Sequence, residues 1–101
     1  MKLMTEALKK EFPKLRQTDG DKPGEVKIVA KYFTPWTNWT WYATEFDGED
    51  LFFGFVRGMD NELGYFSLSE LEEVNGPAGL KIERDLHFGE HTLDEAMARQ
   101  I

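Results

Sequence analysis

Two histidines, His87 and His91, stand among Glu83, Asp85 and Glu90. Imidazole nitrogens and carboxylate oxygens are zinc ligands, so a metal site would first be sought here. The local pattern argues against one. His87 falls on a predicted strand and His91 in a turn, so their spacing does not place both rings on one helix face. An acidic strand edge with exposed histidines is expected instead, with no metal. Asp47-Gly48-Glu49-Asp50 offers oxygen ligands for calcium, but an EF-hand loop needs roughly twelve residues, and a hairpin turn is the expected reading. Carboxylates abound, yet nothing places two of them across a cleft for acid–base work. There is no nucleophile elbow and no phosphate-cradling glycine pattern. The absence of cysteine excludes thiol nucleophiles, zinc knuckles and disulfide frameworks. No catalytic residue, metal or cofactor is assigned, and a non-enzymatic role is expected.

The positions that invite recognition chemistry are of two other kinds. Ten of the 14 aromatic residues lie between positions 32 and 55, and all three tryptophans fall within six residues. Most of these rings should form core and cross-strand pairs. Trp36 and Trp39, beside the Thr34-Pro35 break, and Tyr42 are candidates for an exposed recognition surface or the wall of a ligand pocket. Charge is the second kind. Residues 1–31 hold eight bases and five acids, whereas residues 32–101 hold four bases and 14 acids, within a net charge of −7. Between positions 45 and 73 nine acids face a single base, Arg57. Glu49, Asp50, Glu70, Glu72 and Glu73 are the candidate acidic face for a basic protein partner. This balance opposes direct binding to nucleic acid or an anionic membrane.

The elements that must position these residues follow from periodicity. The chain has 101 residues and a mass of 11.7 kDa, enough for a single domain spanning 1–101 with one ordinary core. Leu3, Met4, Ala7, Leu8 and Phe12 predict a short amphipathic helix over 3–12, ended by Pro13. RQTDGDKPG, residues 16–24, is a loop. From Glu25 the period becomes two, with Val26, Ile28, Ala30 and Tyr32 on one face of a strand. A second strand spans about 38–46, with Trp39, Trp41 and Ala43 on one face and Thr40, Tyr42 and Thr44 on the other. Asp47-Gly48 signals a hairpin. Strands follow at 51–57 and 62–66. Gly54, between two phenylalanines, is read as a place where a ring lies across bare backbone. Ser67 and Glu70 form a capping box for a middle helix that Asn75-Gly76-Pro77 stops. Residues 81–88 alternate again as a fifth strand. Thr92 and Glu95 form a second capping box, opening a helix to about Gln100. The fold class is α+β: a small twisted antiparallel sheet of about five strands, as an open sheet or a partial barrel, with short N-terminal, middle and C-terminal helices. The charged start, Met1 to Glu6, is no signal peptide, and no window approaches a membrane span, so a cytoplasmic protein is expected.

Phe33-Thr34-Pro35, the run Asn38 to Gly48, Phe52-Phe53-Gly54 and the run Glu62 to Leu71 closely resemble the bacterial family known as Domain of Unknown Function 2958. The N-terminal helix and Gly79 to Asp85 are similar to it as well, so the resemblance covers nearly the whole chain. The family resembles small proteins carried on plasmids, integrative elements and phages. The resemblance brings no catalytic residue and no cofactor. It implies the company of accessory genes of mobile DNA, many of which counter host defences.

The sequence thus supports a non-enzymatic acidic binding protein that inhibits a host defence or nucleic-acid-handling protein by mimicking nucleic-acid charge. A second class is a small-molecule-binding domain or enzyme with an aromatic-lined pocket near Trp36, Trp39 and Tyr42. A third is a structural subunit that dimerises through an edge strand.

Overall fold

A computed structural model describes all of residues 1–101. Five antiparallel strands, β1 (Ala30–Phe33), β2 (Thr40–Phe46), β3 (Leu51–Arg57), β4 (Asn61–Ser67) and β5 (Glu83–Arg84), lie in the order β4-β3-β2-β1-β5. The sheet is open, with β4 and β5 as its edges, so the barrel alternative does not hold. Three short helices accompany it: α1 (Glu6–Lys9), α2 (Leu68–Glu73) and α3 (Leu93–Ala98). None is long and apolar enough to cross a membrane.

Turn chemistry fixes the β2–β3–β4 meander. Asp47 Oδ1 accepts from the amides of Glu49 and Asp50 at 2.8 Å and Leu51 at 3.0 Å. Gly48 takes the positive φ (+90°) that this turn requires. Ser67 caps α2 by accepting from Glu70 N at 3.1 Å.

Both sheet faces are covered, as the aromatics on both sides of β2 imply. The first face buries Ala30, Tyr32, Ala43, Phe46, Phe52 and Phe66 beneath Leu3, Leu71 and Ile82. Phe12 reaches this cluster, with its ring centroid 5.6 Å from both Phe46 and Phe52. The second face buries Tyr42 and Phe55 against Val26, Ile28, Leu93 and Ala96.

Four local departures from the sequence reading have physical causes. The strand predicted from Glu25 begins only at Ala30, and Val26 and Ile28 join the second face while Ala30 and Tyr32 join the first. Residues 26–28 pair instead with the lead-in to α3: Ile28 N donates to His91 O at 2.9 Å and Leu93 N to Val26 O at 2.8 Å. The first helix is one turn, because Thr5 caps it by accepting from Leu8 N at 3.1 Å and leaves Leu3 outside. β5 has two residues, since Asp85 accepts from His87 N at 2.9 Å and turns the chain. Finally, β2 carries a bulge between Ala43 and Glu45. The bulge buries Glu45, whose carboxylate accepts from Arg16 N at 2.7 Å, Thr18 N at 3.0 Å and the Thr18 hydroxyl. Gly54 is needed for a different reason from the one read in the sequence. A Cβ there would lie 1.9 Å from Tyr42 O, so backbone, not a ring, fills the space.

Candidate interaction surface

The β2–β3 turn and the start of α2 form one structural unit. Asp50 binds α2 three times: its carbonyl accepts from Leu68 N, its Oδ1 from Ser69 N and its Oδ2 from Ser69 Oγ, each at 2.8 Å. Glu70 accepts from Ser67 Oγ at 2.7 Å. Glu49, at the turn, and Glu70 and Glu73, on the helix, are exposed beside this joint. Glu72 lies farther round α2, where it lines a shallow cleft with Met1, Leu3, Leu71, Lys81 and Ile82.

The structure therefore gathers Glu49, Asp50 and Glu70 at one end and sets Glu72 apart. It also gives Asp50 architectural work that the residue types alone did not reveal, while Glu70 bonds Ser67 at the helix start, as their spacing predicts. None of the molecule's ion pairs involves Glu49, Asp50, Glu70, Glu72 or Glu73. Asp47 belongs to the same turn. Its slight burial opposes ionisation, but the amides of Glu49, Asp50 and Leu51 outweigh that and hold its carboxyl below the usual carboxylate range. Negative charge here is fixed by backbone donors and left unneutralised by any base.

The aromatic candidates do not converge. Tyr42 is fully buried on the second face, and its hydroxyl accepts from Ile101 N at 3.2 Å. Burial raises its pKa, and the Ile101 amide partly offsets this. Its side chain thus points away from the face occupied by Trp41, because adjacent strand residues alternate. Trp36 packs on Gly76, where a Cβ would come within 2.7 Å of its ring. Trp39 lies on Gly58, with 2.4 Å to the same imaginary atom, and its ring centroid is 5.7 Å from that of Trp41. None of the three surface clefts is lined by Trp36, Trp39 or Tyr42. The expected common aromatic pocket is corrected accordingly: Tyr42 is core, and the two tryptophans rest on separate glycines.

The histidine stretch resolves into a capping arrangement. His91 Nδ1 lies 2.8 Å from Glu95 Oε2, and the His91 ring packs on Phe88 at 4.5 Å. The hydrogen bond with His91, then that from Thr92 N, hold the Glu95 carboxyl below its usual range. His87 is exposed and does not join this pair.

Sequence reasoning missed Arg57 and Lys31. Arg57 caps the end of α3, with Nη2 2.6 Å and Nε 3.0 Å from Ala96 O. Its isolation as the one base in an acidic stretch was the available signal. Lys31 sits between the Phe33 and Phe88 rings, at 5.7 and 5.6 Å, and pairs with Asp85 at 3.4 Å.

Neither the curated proteins nor the solved structures contain a match to this chain. The family model described as "Protein of unknown function (DUF2958)" matches residues 3–98, and the chain belongs to that family.

Proposed function

We propose that this is a non-enzymatic binding protein whose acidic end, built from the β2–β3 turn and α2, engages a basic protein. The observation that carries this reading is the set of exposed carboxylates at Glu49, Glu70 and Glu73 with no basic partner. Helix placement supports it. Glu72 and Glu73 occupy the last turn of α2, where carboxylates oppose the helix dipole and no base compensates. Those charges work against local stability. In its concrete form the protein belongs to mobile DNA and occupies the nucleic-acid site of a host defence nuclease or related protein by charge mimicry. The aromatic-pocket alternative has less support, since Trp36, Trp39 and Tyr42 share no cleft.

The test is capture from nuclease-treated bacterial lysate, followed by competition with duplex DNA and salt. A captured protein should be released by DNA and by rising ionic strength, because exposed charges are screened beyond about 8 Å at physiological salt. It should be lost with the double variant Glu49→Lys and Glu73→Lys, which spares the structural Asp50 and Glu70. Binding that resists salt and DNA, or that survives in the variant, contradicts the proposal.

A further inference from the structure

The outer side of β4 is an unpaired sheet edge. Gly58 N donates to Asp60 O at 3.3 Å and Leu68 N to Asp50 O at 2.8 Å, marking the two ends of the β3–β4 ladder. Between them Val56 faces Glu62, Gly54 faces Gly64 and Phe52 faces Phe66. Antiparallel rungs alternate, so these even-numbered pairs exchange the hydrogen bonds. The main-chain groups of Asn61, Leu63 and Tyr65 consequently point away from β3, into solvent.

Side chains along this edge have a two-sided pattern. On the second face Leu63 and Tyr65 are 45% and 56% exposed, and Tyr65 packs edge-on against Phe53 at 5.1 Å. On the first face stand Glu62 and Gly64, with α2 and its carboxylates beyond Phe66. A Cβ at Gly64 would meet nothing within 4 Å, and its φ is not positive. The fold itself does not require glycine at that position, and glycine weakens a strand relative to alanine. Without a side chain at Gly64 the first face of this edge stays open, which leaves room for long side chains of an adjacent strand.

We infer that β4 binds an extended segment of a partner as a sixth, antiparallel strand, with apolar residues beside Leu63 and Tyr65 and basic residues beside Glu62 and Gly64. Charge complementarity selects this occupant. Asp60 and Glu62 have no basic partner, and a second copy of the chain would bring its own carboxylates and a net charge of −7 to the same edge. This inference rests on the acidic-binding reading and specifies the shape of the partner's contact.

The probe is the synthetic peptide Lys-Val-Lys-Val-Lys-Val-Lys, titrated at low salt. In the inferred arrangement the residues opposite Leu63 and Tyr65 are valines, and their amides face β4. N-methylation of the three valines should therefore weaken binding at least about tenfold, whereas N-methylation of the inner lysines leaves it within about twofold. Leu63→Pro removes an outward donor and no ladder bond, and should weaken binding similarly. The peptide-side methylation carries the test even if that variant misfolds. Equal binding of both methylated peptides, still abolished by Glu62→Lys with Glu73→Lys, overturns strand addition and leaves the acidic reading standing. Equal binding of all peptides to that charge-reversed variant removes both. No binding at millimolar peptide, or a concentration-dependent dimer that protects the Leu63 and Tyr65 amides, overturns the inference.

Discussion

The two edges of the sheet are treated in opposite ways. β5 is two residues long, Arg84 N donates to the Met1 sulfur at 3.1 Å, and the Lys31–Asp85 pair sits beside it. β4 is seven residues long and mostly exposed, and it carries Glu62, Leu63 and Tyr65. Open edges invite unwanted pairing, and proteins ordinarily shorten, cover or charge them. This chain shortens and covers one edge and leaves the other long, with a carboxylate as its guard. The cross-strand glycines repeat the contrast within one rung. Gly54 is demanded by the backbone around it, and Gly64 by nothing in the chain itself.

The largest effect should separate those two glycines. Gly54→Ala drives a methyl into Tyr42 O and should cost more than about 3 kcal/mol, read as a collapse of the melting temperature. Gly64→Ala should be neutral or stabilise by about 0.5 kcal/mol, since its methyl meets open space on the sheet face. A comparable loss at both sites would erase the distinction between inner strand and open edge.

The covered edge depends on the N-terminal segment, which Tyr32 anchors by donating its hydroxyl to Leu3 O at 2.8 Å. Tyr32→Phe should cost about 1–2 kcal/mol, measured by denaturant unfolding. Burial raises the Tyr32 pKa, with the Tyr42 pKa also raised by burial. A group whose folded pKa is raised contributes stability that is complete below its unfolded value. Wild-type stability should therefore hold to about pH 10 and fall above it, with a shallower fall in Tyr32→Phe.

At the other end, Asp47→Ala removes the acceptor for three turn amides and should cost on the order of 1 kcal/mol. The lowered pKa of Asp47 works in the opposite direction from the tyrosines. Its contribution is present above the ordinary carboxylate value, near pH 4, and is lost as pH falls through the lower folded value. A flat acid limb would show that the turn is held by other means. The smallest effect is expected at Glu73→Lys, which relieves the dipole clash in α2 and should stabilise by about 0.3 kcal/mol while weakening a basic partner.

Most of the fold was legible because it is local. Asp47-Gly48, the Ser67 cap and the Thr92–Glu95 capping box define turns and helix starts from a few adjacent residues, and alternation in 40–43 and 51–57 sets two faces. What was hidden depends on distant pairing. The bulge after Ala43 changes which face Glu45 takes, and only the Arg16 and Thr18 amides explain its burial. Val26 and Ile28 keep a strand's period yet pair with the lead-in to α3, which no local pattern announces. The acidic character of the candidate surface was plain in composition. The duty of Asp50 within it was not, since it depends on a turn and a helix 19 residues apart meeting in space, whereas the Ser67–Glu70 contact is local and was readable. Tyr42 looked like a recognition residue because rings flank it in sequence, but the sheet's alternation sends it inward.

Amide hydrogen exchange along β4, with and without the lysine–valine peptide, tests the central claim most directly. In the free protein Leu63 and Tyr65 should exchange far faster than their neighbours Glu62 and Gly64, and the peptide should slow Leu63 and Tyr65 selectively. Uniform protection along β4 in the free protein, or no change at those two amides at saturating peptide, would contradict an open edge that receives a basic strand.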